Sequence, residues 1–114
     1  MAKYKPGQII EVPWYFPAEK KTKPHPSMVI SPEDLEDDEG FFYAVLMSTK
    51  NYFPNYTIKI ENYMLTKSLT DGYFVTHFIS QFTLKEVMGD QNVFLKREYM
   101  KMVFDKIKSS VLAI

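Results

Sequence analysis

His25 and His77 are the two histidines of this sequence. They are the side chains whose ordinary pKa lies nearest neutral pH, so they come first as candidates for proton transfer. His25 stands between Pro24 and Pro26, beside the lysine cluster Lys20, Lys21 and Lys23. His77 lies inside an apolar, β-branched run. Two imidazoles on one surface can share the acid and base roles of RNA cleavage. The plainer reading makes His25 a surface group and His77 a hydrogen-bonded strand residue. Ser48, Thr49 and Lys50 close another apolar run; two hydroxyls and an ammonium can hold a phosphate, or simply end a strand. Tyr52, Phe53 and Tyr56 follow, with ring faces suited to unpaired bases, to a core or to a dimer contact. The three lysines read either as a phosphate-facing patch or as a solvated loop.

What is missing narrows the chemistry. The sequence has no cysteine, which excludes disulfides, cysteine-based zinc sites and thiol catalysis and fits a reducing, cytoplasmic setting. With two histidines, a zinc site would need carboxylates placed by the fold, so no metal or other cofactor is expected. No glycine-rich phosphate loop, HExxH, GxSxG or EF-hand pattern occurs. No apolar run approaches bilayer length, and the first residues lack a signal peptide's apolar stretch, so no membrane association is expected. Formal net charge is zero, unlike a strongly basic DNA-coating protein. The charges are nonetheless segregated: the lysine cluster is followed by the acidic stretch Glu33 to Glu39.

At 114 residues, 46% hydrophobic and 16% aromatic, the chain is expected to fold as a single domain, residues 1–114. Gln8 to Tyr15 reads as a first strand, with Pro13 marking an edge or bulge. Phe16 to Pro26 contains three prolines and the lysine cluster and is expected to be a loop. Ser27 to Ser31 is a short buried strand ended by Pro32, and the acidic stretch after it is a loop or one helical turn, with Pro32 as its first residue. Phe41 to Ser48 is the central strand, apolar throughout. Asn51 to Asn55 is a turn, Tyr56 to Ile60 and Tyr73 to Ile79 are strands, and Phe82 to Val87 is a strand or short helix. Met100, Val103, Phe104, Ile107 and Val111 recur at helical spacing, which predicts an amphipathic helix from about Lys96 to Leu112 packed on a sheet. Short strands followed by one helix suggest a mainly β domain, a small, partly open barrel.

In this order the segments resemble the PemK/MazF/Kid family of bacterial toxins. Lys5 to Ile10 resembles the family's opening strand, and Lys23 to Ser31 resembles its "R-P-x-[VL]-[VI]-[LI]-S" strand. Val45 to Lys50 resembles the central strand that ends in Thr, and the segment from Lys96 resembles the closing helix. The resemblance implies an SH3-like barrel, a homodimer, an antitoxin partner lying over the cleft, and metal-independent cleavage of single-stranded RNA. It also implies an Arg that stabilises charge on the phosphorane and a Thr or Ser hydroxyl that positions the reacting groups. Here His25 stands where that Arg is expected, and either Ser48 or Thr49 matches the hydroxyl. Some members carry an Arg and an Asp on a later strand; Val75 to Phe78 has neither, with His77 between the two positions. A permanently charged bidentate donor is thus replaced by a titratable imidazole.

The implied function is a toxin-type endoribonuclease. His25, Ser48, Thr49 and His77 are its candidate catalytic residues. Lys20, Lys21, Lys23, Lys50, Tyr52 and Tyr56 are its candidate RNA contacts. The alternatives are a barrel that binds nucleic acid or protein without cleavage, or a gyrase-directed toxin on the same scaffold.

Overall fold

A computed structural model describes residues 2–69 and 71–113. Six strands form one antiparallel sheet: β1 (Gln8–Phe16), β2 (Lys21–Val29), β3 (Phe41–Ser48), β4 (Thr57–Ile60), β5 (Gly72–Thr83) and β6 (Gly89–Phe94). Their spatial order is β4-β5-β3-β2-β1-β6. A short helix, α1 (Glu33–Glu39), joins β2 to β3, and α2 (Arg97–Val111) follows β6. The sheet curls without closing. Its two ends meet at a single bridge between Leu65 and Leu95, flanked by the Thr66 N–H to Phe94 carbonyl and Lys96 N–H to Met64 carbonyl hydrogen bonds.

The sequence explains most of this order. β3 is apolar along its length because both of its faces are covered. Val45 and Met47 join the core beneath α2, with Ile9, Phe74, Val103 and Ile107. Phe42, Ala44 and Leu46 join a second core with Trp14, Val29 and Phe82. The helix stripe forms as its spacing predicts, with Val103 and Ile107 buried, although Val111 at its end is exposed. Pro32 lies just before α1, as its N-cap rather than its first residue, and Gly40 ends the helix in the left-handed region (φ 76°), where glycine carries no steric penalty. Glu36 on α1 is buried and accepts the Lys3 and Tyr4 backbone N–H groups, tying the N-terminal segment to the helix.

Two expectations need correction. Phe16 to Pro26 is not a loop: only Pro17 to Lys20 turn, and Lys21 to Pro26 pair with β1, with His25 opposite Val12 and Pro24 opposite Pro13. A pair of prolines has no amide hydrogens to exchange, so it occupies a non-hydrogen-bonded position of that ladder, where proline costs little. Tyr73 to Ile79 and Phe82 to Thr83 are not separate elements but parts of the long β5, and the short helix allowed in the second segment is a single 3-10 turn, Leu84–Glu86. Its pairing with β3 jumps from Ile79 opposite Val45 to Val75 opposite Leu46, so Thr76, His77 and Phe78 form a bulge. β6 was not expected at all; Val93 is its one buried side chain.

Candidate active cleft

The prolines of β2 make the site. β2 and β3 pair through Ser27 opposite Leu46, Met28 opposite Val45 and Val29 opposite Ala44. The Ile30 N–H donates to the Tyr43 carbonyl at 2.9 Å, so even-numbered residues here turn their N–H groups toward β3. The next even positions, Pro26 and Pro24, have none to offer. Beyond Ser27 the two strands therefore part: β2 stays with β1, and β3 continues along β5 to Tyr73 opposite Ser48. A cleft of about 470 Å³ opens in the split. Continuing the broken register by two residues sets His25 level with Ser48. Side chains alternate along a strand, so both share the face of Leu46, which lines the cleft.

The walls come from the ends of these elements. Phe16, Glu19, Lys23 and His25 line one side; Ser48, Thr49, Lys50, Tyr52 and Phe53 line the other. Leu46, Val75 and Phe78 complete the lining. His25 packs edge-on against Phe16, ring centres 5.3 Å apart. Beneath it, the buried Trp14 donates from Nε1 to the Ser27 hydroxyl at 2.7 Å, and that hydroxyl reaches the His25 carbonyl at 3.4 Å. Across the cleft, the Ser48 Oγ accepts the Lys50 N–H at 3.2 Å, a local turn that orients the lysine. The Lys50 ammonium lies 5.7 Å from the centre of the Tyr52 ring.

Charge in the cleft is uneven. Two ammonium groups, Lys23 and Lys50, line it. The Lys23 Nζ is 2.5 Å from a Glu19 carboxylate oxygen, and that hydrogen bond and charge hold the Glu19 carboxyl below its ordinary value. Glu19 is the one acidic residue lining the cleft among the described residues.

His25, Ser48, Thr49, Lys23, Lys50 and Tyr52 are thus brought together. Lys20 and Lys21 are exposed at the hairpin tip, outside the cleft lining. Tyr56 and His77 also lie outside it and stack on each other at 4.4 Å. The β5 bulge explains His77: it interrupts the alternation that would have carried the ring toward His25. The ring instead packs against Phe53 and Phe78 at 4.9 and 4.8 Å. Its Nδ1 is buried with no hydrogen-bond partner among the described residues, and burial pushes the imidazole below its ordinary pKa. Thr76, fully buried in the same bulge, donates to the Tyr56 carbonyl and bonds the Ser110 hydroxyl of α2 at 2.8 Å. The segment lining the cleft's far wall is thereby tied to the helix. Sequence reading missed Glu19, Phe16 and Thr76; the spacing of Glu19 and Lys23, four residues apart, was the available sign of the first.

No family model matches the chain, and no curated protein matches it by sequence. Solved structures do. MazF from Deinococcus radiodurans superposes with a TM-score of 0.74 at 11% identity, covering 92% of this chain and 93% of that one. An endoribonuclease from a mycobacterial species, solved with its cognate antitoxin, gives 0.73 at 13% identity, over 93% and 92%. A MazE-MazF complex from Deinococcus radiodurans gives 0.69 at 15% identity, over 92% of each chain. The chain carries the PemK/MazF-like toxin fold.

Proposed function

We propose that this protein is a toxin-type endoribonuclease that cleaves single-stranded RNA in the cleft without a metal ion. The observation that carries the reading is one cleft at the β2–β3 split lined by His25 and Lys23 from one strand and by Ser48, Thr49 and Lys50 from the other. In RNA cleavage of this type the 2′-oxygen attacks the adjacent phosphorus and the bond to the 5′-oxygen breaks. A 2′,3′-cyclic phosphate and a 5′-hydroxyl result. The 2′-hydroxyl gives up a proton and the leaving oxygen gains one. His25 supplies the imidazole of the cleft lining, the side-chain type most often used for such a proton transfer. The Ser48 hydroxyl, whose lone pair already receives the Lys50 N–H, is free to donate to a phosphate oxygen, and Thr49 stands beside it. Lys23 and Lys50 supply positive charge to the phosphorane. Tyr52 offers an exposed ring for stacking on a base. Lys20 and Lys21 extend the positive edge to flanking phosphates. Tyr56 and His77, stacked behind Phe53, support the wall rather than touch the reacting atoms.

The likeness in fold to structures solved with antitoxins supports an antitoxin-like partner; a homodimer and a cytoplasmic site of action complete the proposal. The test is incubation of the purified protein with single-stranded RNA in EDTA, with product ends identified. His25→Ala should slow cleavage by about 10²- to 10⁴-fold, the usual worth of a general acid or base. Cleavage by His25→Ala and Ser48→Ala at the parent rate refutes the assignment. A second reading, binding without cleavage, draws on His25 itself, since one imidazole replaces the permanent charge that the resemblance implies. Tight RNA or partner binding with intact RNA recovered would establish it instead.

A further inference from the structure

Among the charged residues that line the cleft, Glu19 alone has no part in the proposed cleavage. Glu19 sits in the turn between β1 and β2, with its carboxylate on the Lys23 ammonium at 2.5 Å. Its backbone is fixed: the Glu19 N–H donates to the Phe16 carbonyl at 3.1 Å and the Lys20 N–H to the Pro17 carbonyl at 3.2 Å. Lys20 holds the turn with φ at 53°. Lys23 is further confined by the Phe16 ring, whose centre is 5.9 Å from its Nζ, and the same ring packs on His25. The carboxylate therefore meets Lys23 beside His25, in a cleft whose other charged lining group is Lys50. A carboxylate presents two anionic oxygens to an ammonium much as a phosphate does.

We propose that Glu19 is a built-in occupant of the phosphate seat at Lys23, and that an RNA phosphate binds there by displacing its carboxylate. The inference rests on the RNA-cleaving reading and adds how its site is regulated. Displacement requires only side-chain rotation, because the hairpin turn is held by its own backbone bonds. Both partners are about half exposed (45% and 51%), so the pair is weak, and a phosphate can compete with it. The Lys23 ammonium lowers the Glu19 carboxyl from its ordinary value, and a glutamate is anionic at neutral pH in any case.

The test measures equilibrium binding of a short single-stranded RNA with a non-reactive 2′-O-methyl backbone, at several salt concentrations. Glu19→Gln keeps the shape and removes the charge. It should tighten binding by about two- to fivefold, the worth of an exposed ion pair. It should also steepen the dependence of log K on log salt by up to about 0.7, one more phosphate contact on a single strand. In a Lys23→Met background the same substitution should have little effect, because the seat is gone. Three results overturn the inference: weaker binding by Glu19→Gln, unchanged binding, or an equal gain with and without Lys23. If the parent protein and all three variants, each folded, bind no single-stranded RNA at low salt, the RNA-cleaving reading falls with it. Parent binding with no Glu19 effect removes only the occupant.

Discussion

Replacing Ser27 by alanine tests the support beneath His25. Ser27 is fully buried, and Trp14 is 5% exposed. The Trp14 Nε1–H has its partner in the Ser27 hydroxyl at 2.7 Å, and an indole N–H can only donate. Alanine leaves that donor buried and unmet, at a cost of about 1–3 kcal/mol. Unfolding entropy of about 2.1 cal/mol/K per residue, over 114 residues, makes each kcal/mol worth about 4 °C. The melting temperature should fall by about 4–12 °C. Trp14→Phe removes the donor and leaves a smaller ring against Phe82, now 5.2 Å away. With both changes no polar group is stranded, so the double variant should be more stable than the sum of the single losses by about 1 kcal/mol. Urea titrations of the four proteins measure the cycle. A Ser27→Ala loss below about 0.5 kcal/mol, or strict additivity, would refute the claim that this hydrogen bond stabilises the β1–β2 pairing beside His25.

Gly72 opens β5 where a Cβ would lie 2.7 Å from the Ser48 carbonyl oxygen. Gly72→Ala usually gains a few tenths of a kcal/mol from the unfolded chain; here the obstacle is backbone, so the variant should lose roughly 1–2 kcal/mol by forced separation of the strands. It should also weaken RNA binding, since Ser48 and Lys50 move with that strand end; a denaturant midpoint and an RNA affinity both equal to the parent's would remove the close approach. His77 gives a pH signature. Burial lowers its folded pKa beneath the unfolded value of about 6.5, so below that pH the unfolded chain binds more protons. Its contribution is therefore complete above about 6.5 and is lost as pH falls toward the folded value. His77→Phe should flatten that part of a stability–pH curve measured by denaturation, and an unchanged slope would exclude His77 as its source.

The legible parts of the fold were those whose periodicity has one cause. β3 is apolar on both faces because two cores cover it, and the stripe of α2 meets a single surface. β2 was illegible because prolines and lysines read as a loop, whereas a strand paired on one side tolerates both. β6 escaped notice because Gly89 to Asn92 are exposed and only Val93 is buried, which leaves no alternation to read. At the site, the Pro-flanked His25 and the strand-ending Ser48 stood out as residue types. That they line one cleft depends on the β2–β3 pairing that ends at Ser27 and Leu46, a long-range pairing that local pattern does not encode. The β5 bulge shows the same limit, since Thr76 to Phe78 look like uninterrupted strand until β3 is set beside them.

One chemical feature thus accounts for both the failed expectation and the site. Pro24 and Pro26 were the reason to expect a loop. In the sheet, they withhold the N–H groups that would join β2 to β3 alongside Ser48. Each ladder hydrogen bond forgone is worth about 1 kcal/mol, and the structure offsets the loss locally. Trp14 bonds Ser27 just before the split, Phe16 packs on His25, and Thr76 fastens the opposite wall to Ser110 of α2. A cleft made in this way is braced at its back by these contacts and polar at its rim. Its rim consists of residues left without a partner across the β2–β3 split, His25 on one strand and Ser48 to Lys50 on the other. The broken ladder leaves those groups facing solvent and each other, and a continuous sheet would have covered them.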